Sequence, residues 1–352
     1  MTTDEVIDEA PPRWLRWWRV ARPVLIVAVS LFALKVLYRI LAPIDWSSVW
    51  DSLLLLTPLA IFLLLFFVAL RQVFNAKPLT NFVSGLPLRR SIMNDLTAFL
   101  MGTVAPPPSD TVLRVSMFKS WNVDPVEGMA GVTLNSLTYY VVRFFAPAIG
   151  LLFLAFQDVE SGHALGAVIS VLISAVIVGV LLSISRGDRL SRLIGLNAGR
   201  VATHFKKTVE PDKWAAAVVD FRARIGDRVQ TGIVPSLGAL VLMVLSDASV
   251  LIVAVRGVGV GGDVLPLAIV YGSFLLVYPL TLFPLAGLGV VDAVLVTAWL
   301  DYAGDSYEAQ FVAALIIWRV VTLIVVLLCG LVSLFAWRRT ARKLEGDLQP
   351  SS

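Results

Sequence analysis

The chain has 352 residues, of which 58% are hydrophobic and 15% are charged, and its formal net charge at pH 7 is +4. Soluble domains carry about 25% charged residues, so the composition excludes an ordinary soluble domain. A mean hydropathy of +0.83 indicates a polytopic membrane protein instead. The single cysteine excludes an intrachain disulfide framework.

The N-terminal segment, residues 1–21, is predicted to be a polar cytoplasmic tail. It begins with acidic residues, and the Trp and Arg residues that follow suit the headgroup region of a membrane. The first apolar stretch, about 22–42, is too long for a cleaved signal and lacks a small-residue cleavage site. It is therefore interpreted as an uncleaved first span.

Six full spans are predicted, because each contains the ~20 apolar residues that a bilayer crossing needs. They lie at roughly 22–42, 52–74, 128–156, 164–185, 233–256 and 309–337. Two further apolar segments, 92–120 and 264–300, are interrupted by prolines and glycines. We name the interruption at 102–110 the first break and the interruption at 278–289 the second break. The prolines expected to break these helices are Pro106, Pro107, Pro108 and Pro284.

The distribution of basic residues limits how the broken segments are placed. With both as re-entrant hairpins and the N-terminus inside, the inner loops carry the Lys and Arg residues and the four outer loops carry none. The same pattern permits both segments to cross fully, but it excludes one hairpin with one crossing. Hairpins are preferred, and the order is then an inverted repeat, with repeat 1 at about 22–156 and repeat 2 at about 164–337.

The predicted fold is an all-α polytopic membrane protein with about six full transmembrane helices and two broken re-entrant hairpins. Within repeat 2, the polar loop 186–232 is predicted to be a cytoplasmic linker. Apolar residues at helical spacing predict an amphipathic helix there, on the inner membrane surface. They are Trp214, Val218, Phe221 and Ile225. Residues 338–352 are predicted to be a basic cytoplasmic tail.

Two arginines lie at matching places inside predicted spans. Pro106 to Arg143 is 37 residues, and Pro284 to Arg319 is 35 residues. Ionisable residues at membrane depth are functional hypotheses by default, so both arginines are candidates for binding an anionic headgroup. The alternative is that each pairs with an acid or with backbone carbonyls and holds its hairpin in place.

The helix after the first break begins with polar candidates. Asp110 and Arg114 lie one turn apart, and either Ser109 or Asp110 is expected to cap the helix. Arg114 is a candidate headgroup ligand, and Asp110 is a candidate for balancing charge or exchanging protons.

The helix after the second break begins with glycines. Gly287 and Gly289 leave the backbone open, which favours either an anion at free N–H groups or a tight bend without a ligand. Asp292 follows them, and it is expected to cap the helix, to pair with Arg319 or to carry a proton.

Asp247 lies in the middle of the predicted span 233–256. A lone acid at that depth implies an arginine partner or a proton. The ionisable residues of the spans and hairpins lean basic, which suits an anionic headgroup such as a phosphate. No cofactor, metal site or nucleic-acid partner is expected. The two histidines lie in separate loops, which disfavours a His-based metal site, and no phosphate-binding loop is present, so no ATPase is built in.

The second break and the last span resemble a known family. PLAGLGVVD at 284–292 is similar to the proline, Gly-Leu-Gly-Val and acid element of the lysylphosphatidylglycerol synthase transmembrane-domain family, also called flippase-like proteins. WRVVT at 318–322 resembles the arginine element of that family's final span. The stretch 102–114, followed by Arg143, is similar to its earlier proline, acid and arginine element. The resemblance covers about 50–337.

The resemblance implies a stand-alone, non-enzymatic member without the aminoacyltransferase domain, in a bacterial or archaeal inner membrane with both termini cytoplasmic. Such a member would translocate an anionic lipid or a lipid-linked cell-envelope intermediate. The headgroup would lie between the hairpins, held by Arg143, Arg319, Arg114, Gly287 and Gly289. The acids that would balance charge or exchange protons are Asp110, Asp292 and Asp247.

Two other classes of function stay open. One is a non-transporting membrane partner of a lipid-modifying enzyme or glycosyltransferase of the cell envelope, for which the linker 186–232 would matter most. The other is an ion-coupled solute transporter, for which Asp247 would carry the coupling proton. The identity of the lipid, the direction and energy source of transport and the oligomeric state are open at this stage.

Overall fold

The computed structural model describes residues 46–106, 108–155 and 210–347, with isolated helical positions between 169 and 200. Every element in these ranges is helical. The contacts reported below lie within the compact unit Ser47–Ser352. The predicted span 22–42 lies outside the described residues, and 164–185 is described only at isolated positions. The total of six spans therefore stays a prediction.

The first half of the described chain contains two long apolar helices, Pro58–Phe82 and Pro125–Leu154, which could cross a membrane and agree with the spans predicted at 52–74 and 128–156. The side chains of Thr57 and Asp124 accept hydrogen bonds from backbone amides of the first turns of these helices, as helix starts favour. The helices are α1 (Trp46–Leu54), α2 (Pro58–Phe82), α3 (Leu88–Val104), α4 (Ser109–Ser120) and α5 (Pro125–Leu154).

The second half contains two more segments that could cross a membrane, Thr231–Gly257 and Asp305–Thr340, in agreement with the predictions at 233–256 and 309–337. Its α-helices are α6 (Pro211–Gly257), α7 (Leu267–Val277), the single turn α8 (Pro284–Gly287), α9 (Val290–Ala303), α10 (Glu308–Arg319) and α11 (Val326–Asp347). The remaining elements are the 3-10 turns Tyr278–Leu282 and Asp305–Tyr307 and the π-helical stretch Val320–Val325, which joins α10 to α11.

The predicted linker helix is part of a longer one. Residues Pro211–Gly257 form a single helix of 47 residues. The stretch from 211 to 232 is therefore helical as predicted, but it runs directly into the following span instead of forming a separate helix. The side chains of its predicted apolar face lie outside those that are described.

Both broken segments fold as pairs of short helices that pack side by side. In the first pair, Thr97 Oγ1 of α3 lies 3.2 Å from Met117 Sδ of α4. In the second pair, Trp299 Nε1 of α9 donates to Ser273 Oγ of α7 at 2.9 Å. The longest of these helices, α3, has 17 residues, or about 25 Å, which is less than the ~30 Å hydrocarbon core. This agrees with the preferred hairpins, whose depth in a membrane stays a prediction.

Each hairpin packs against the last long helix of the other half. α3 packs on α11, where a Cβ on Gly330 would lie 2.6 Å from the carbonyl oxygen of Leu96. α7 packs on α5, where a Cβ on Gly150 would lie 2.8 Å from the carbonyl oxygen of Gly272. Small residues allow helix backbones to approach this closely. Together with the long α2–α6 contact, this packing brings residues of both halves around one cavity.

Candidate functional site

A cavity of about 390 Å³ lies among α2, α3, α4, α5, the second break and α11. α5 contributes Asn135, Tyr139 and Arg143, and α2 contributes Arg71 and Asn75. Residues four apart lie on one face of a helix, so the spacing within each helix directs these polar groups to the same side. We call this space the arginine cavity.

The arginine cavity is basic. Among the described residues that line it, Arg71, Arg114 and Arg143 are cations and Asp95 is the carboxylate. An excess of positive charge in a concave, low-dielectric site attracts anions. The remaining polar lining consists of amides and hydroxyls, from Gln72, Asn75, Asn135, Ser136, Tyr139 and Thr281.

Arg143 is a buried cation that aromatic rings surround. It is 9% exposed, and no carboxylate among the described residues pairs with it. Its Nη2 donates to the Tyr139 hydroxyl at 2.8 Å, and its guanidinium carbon lies 4.4 Å from the Tyr139 ring centre and 6.0 Å from the Tyr278 ring centre. Its Nε is buried and donates to no described group. Because burying a charge without a counter-ion costs several kcal/mol, this position favours an anionic ligand.

Arg114 connects the two helices of the first hairpin at the cavity wall. Its Nη1 donates to Asn94 Oδ1, and its Nη2 lies 3.8 Å from Asp95 Oδ1. Asp95 also accepts a hydrogen bond from Asn75 Nδ2 at 2.6 Å. Asp95 therefore partly neutralises Arg114, which still faces the arginine cavity.

The first break is shorter than the sequence predicted. Only residues 105–108 separate α3 from α4, and Pro106 and Pro108 are exposed there, whereas Pro107 lies outside the described residues. Pro108 occupies the cap position of α4, which has no side-chain cap. The prediction that Ser109 or Asp110 caps this helix is therefore wrong, since the Ser109 hydroxyl donates to the Pro106 carbonyl instead.

Asp110 lies apart from the arginine cavity. Its side chain is half-buried, and its carboxylate accepts a hydrogen bond from the Thr111 hydroxyl at 3.5 Å. No described arginine lies within ion-pair distance of it. Its charge nevertheless acts on Arg114, one turn along α4, so its predicted role in balancing charge stays a prediction.

Arg319 is fully engaged in the second half. It is 8% exposed, its Nε and Nη2 donate to the two carboxylate oxygens of Asp292 at 2.9 and 3.0 Å, and its Nη1 donates to the Ala286 carbonyl at 3.1 Å. Asp292 Oδ2 also accepts the Gly289 N–H at 2.7 Å, which caps α9. Asp292 thus both caps α9 and pairs with Arg319. Arg319 has the contacts expected of an arginine that pairs with an acid and a backbone carbonyl and holds its hairpin in place. We call this set the Arg319 brace.

The brace surrounds a tight bend in the second break, whose single turn α8 begins at Pro284. Ala286 and Gly287 have φ values of +56° and +70°, a conformation that side chains beyond glycine rarely adopt. A Cβ on Gly287 would lie 2.6 Å from the Leu280 carbonyl oxygen, so glycine is required there. The Gly287 amide donates to the Phe283 carbonyl at 2.9 Å. With the Gly289 amide bound to the brace, both glycine amides already have partners inside the protein.

Asp247 has the arginine partner that its depth implied. It is 3% exposed, and its Oδ2 lies 3.1 Å from Arg71 Nε. Its Oδ1 accepts a hydrogen bond from Trp318 Nε1 at 2.9 Å. The Arg71 contact is an ion pair without hydrogen-bond alignment, and Arg71 Nη1 donates to Gln72 Oε1 at 2.7 Å. Sequence reasoning did not find Arg71, which lies in α2 and faces the arginine cavity.

Comparison with known families assigns the chain. The family model described as lysylphosphatidylglycerol synthase TM region matches residues 23–330. The chain belongs to this family. The match includes both breaks and all three cavity arginines, and together with the long apolar helices it makes the protein a membrane protein. The comparison with curated proteins gives no match.

The spacing of this family member contains a signal that could have found Arg71. Arg71 and Arg143 are 72 residues apart (71 to 143), as are Asp247 and Arg319 (247 to 319). Pro108 and Pro284 each precede their arginine by 35 residues (108 to 143, 284 to 319). One offset of 176 residues therefore relates all three pairs (71 to 247, 143 to 319, 108 to 284). Applied to Asp247, it points to Arg71 as its counterpart in the first half.

The structure of this family member places most of the predicted site residues in two groups. Arg114 and Arg143 line the arginine cavity together with Arg71. The other group forms the brace and its bend and consists of Arg319, Asp292, Gly287 and Gly289. Ala286 joins the two, because it lines the cavity and its carbonyl accepts from Arg319.

Proposed function

We propose that this protein binds the anionic headgroup of a membrane lipid in the arginine cavity and moves that lipid across the cell membrane, with both termini in the cytoplasm. The observation that carries the proposal is Arg143, a buried cation with a free Nε and no described carboxylate partner. The family assignment and the basic inner loops support the membrane setting.

The polar lining suits a phosphate group with further hydroxyl or amine functions. Arginine forks bind phosphate oxygens through paired N–H donors, and Arg143, Arg114 and Arg71 offer such donors from three helices. Asn135 Oδ1 is buried without a partner among the described residues. A hydroxyl or amine of the headgroup would supply its missing donor, since buried polar atoms are costly when unpaired.

The surroundings of the cavity suit the rest of a lipid. Thr281 and Ala286 line the cavity, and the neighbouring Leu282 and Phe283 are exposed. Phe99 lines the cavity and is itself exposed. A polar cavity bordered by exposed apolar side chains fits an amphiphile, with the headgroup inside and the acyl chains against the apolar edge.

Reconstitution into liposomes tests the proposal. The purified protein is expected to accelerate the exchange of a fluorescent anionic phospholipid between leaflets, and Arg143→Gln is expected to slow that exchange by ~10–100-fold. The magnitude follows from the loss of a hydrogen bond to a charged group, worth about 1.5–3 kcal/mol. Arg89→Gln is the matched control, because it removes the same charge from an exposed position outside the cavity.

Three results would contradict the proposal. Equal exchange rates for the wild type and a correctly folded Arg143→Gln variant would remove the cavity from the mechanism. Uptake of a soluble organic phosphate without lipid exchange would favour the ion-coupled solute transporter. An absence of both activities in the wild type would favour the non-transporting partner of a lipid-modifying enzyme.

A further inference from the structure

A buried carboxylate behind the cavity wall is connected to the cavity through one arginine. Asp247 does not line the arginine cavity, whereas Arg71 lines it and lies 3.1 Å from Asp247 Oδ2. Arg71 is thus the partner of Asp247 and also one of the cations that line the arginine cavity. Within the described residues, no other Lys or Arg is in ion-pair distance of Asp247.

We propose that an anion entering the arginine cavity draws Arg71 away from Asp247, and that Asp247 then takes up a proton. Binding of each anion would be accompanied by binding of one proton. This inference rests on the anion site of the proposed function, and it adds a coupling ion and the residue that carries it.

The geometry of the pair favours such an exchange. The contact between Arg71 Nε and Asp247 Oδ2 is not aligned as a hydrogen bond. The Arg71 side chain is 20% exposed, against 5% for Asp247. Its Nη1 already donates to Gln72, which lines the cavity. Nη1 of Arg71 is therefore held by a residue of the cavity lining, and a small movement of this long side chain would complete the exchange.

The surroundings of Asp247 explain why a proton would follow. A carboxylate without a cation at this burial is strongly disfavoured and is neutralised instead. The helices packed against α6 offer no other cation within ion-pair distance among their described side chains. Among the described residues, the charged, titratable and hydrogen-bonding groups around Asp247 and its partner Arg71 are Tyr139 and Arg143 of α5, Tyr278 of the 3-10 turn and Trp318 of α10.

The proton balance is simple. A proton released by the buffer acid in solution forms an O–H bond at Asp247 Oδ2, the oxygen that Arg71 leaves, while Arg71 stays protonated and pairs with the anion. Trp318 Nε1 donates to Oδ1 before and after, because that oxygen accepts in both protonation states. A singly charged anion and one proton together add no net charge to the buried site. A proton gradient could then drive anion movement.

The test is calorimetric binding of dimethyl phosphate, a singly charged phosphodiester, to the full chain in nanodiscs. Titration in buffers of different ionisation enthalpy counts the protons taken up. The wild type is expected to take up as much as one proton per anion, and its apparent affinity is expected to rise by as much as tenfold for each unit of falling pH. Asp247→Asn is expected to bind without proton uptake and without pH dependence.

Two further variants keep the test decisive. Asp247→Glu is expected to restore proton uptake, which a role limited to folding would not explain. Asp301→Asn, which removes an exposed acid outside the cavity, is expected to retain the wild-type proton count. Anion binding without proton uptake in the wild type would overturn this inference and leave the proposed function standing. Uptake that persists in Asp247→Asn and disappears in Asp95→Asn would also overturn it, and no anion binding at any pH would overturn both proposals.

Discussion

Removal of the Asp292 carboxylate is expected to loosen the bend of the second break. In Asp292→Ala, Arg319 Nε and Nη2 lose acceptors at 2.9 and 3.0 Å, and the Gly289 amide loses one at 2.7 Å. Arg319 would then be a cation that is 8% exposed and has lost the carboxylate of the brace, while it keeps its hydrogen bond to the Ala286 carbonyl. The bend it holds includes residues in a rarely adopted backbone conformation, so its loss should be local and measurable.

The magnitude follows from the burial of the pair. Removing one partner of a buried ion pair costs about 3–5 kcal/mol, because the other charge stays behind. The Asp292 side chain is 21% exposed, so solvent screens part of the interaction, and the lower end of that range, about 3 kcal/mol, is the expected value. At 1.36 kcal/mol for each factor of ten, the bend should open on the order of 100 times more often.

Hydrogen exchange at the Gly287 amide measures this opening. That amide donates to the Phe283 carbonyl and not to Asp292, so the substitution does not remove its own acceptor. Its exchange in Asp292→Ala should be on the order of 100-fold faster than in the wild type. Asp110→Ala is the matched control, since Asp110 lies in the first turn of α4 but has no described arginine in ion-pair distance, and it should leave the Gly287 rate unchanged.

A double-mutant cycle with Arg319→Gln separates the pair from other effects. The two substitutions should be strongly non-additive, because either one removes the same interaction. If the Gly287 amide of Asp292→Ala exchanges within about threefold of the wild-type rate, or if the two effects simply add, then the Arg319 brace does not hold the bend.

Two glycines give further predictions, each with Gly238→Ala as control, because a Cβ there meets no atom within 4 Å. Gly287→Ala should lower the free energy of unfolding in detergent by about 1–3 kcal/mol, since φ is +70° and the new Cβ would lie 2.6 Å from the Leu280 carbonyl oxygen. Gly330→Ala should push α11 away from α3, because the new Cβ would lie 2.6 Å from the Leu96 carbonyl oxygen. Distances between spin labels on these two helices should increase, and the free energy of unfolding should fall by about 1–3 kcal/mol. Unchanged distances would contradict the close contact.

The helices and breaks of the described chain were predictable because their causes are local. About 20 consecutive apolar residues are enough to indicate a span, and Pro106, Pro108 and Pro284 mark breaks because proline lacks an amide and fixes its own φ. The exact helix start was harder to predict. Ser109 has the right chemistry for a cap, but Pro108 holds the cap position and the hydroxyl turns back to Pro106.

The candidate site was only partly predictable, because the role of a buried charge depends on its partner. The sequence alone indicated that Arg143 and Arg319 occupy matching places and that Asp247 needs a cation. It could not distinguish a ligand arginine from a bracing one, since the two have the same residue type and nearly the same spacing. Three-dimensional contacts made that distinction, and they added Arg71.

The sequence by itself determined the class of protein, its family, the described spans, the two breaks and the basic character of the site. These follow from composition, from runs of neighbouring residues and from short motifs. Only the tertiary structure decided that Arg319 meets Asp292 whereas Arg143 meets aromatic rings, and that Asp247 pairs with Arg71, 176 residues away (71 to 247). The physical reason is that a buried charge is stabilised by whatever group folding brings within about 4 Å, and local sequence does not specify that group.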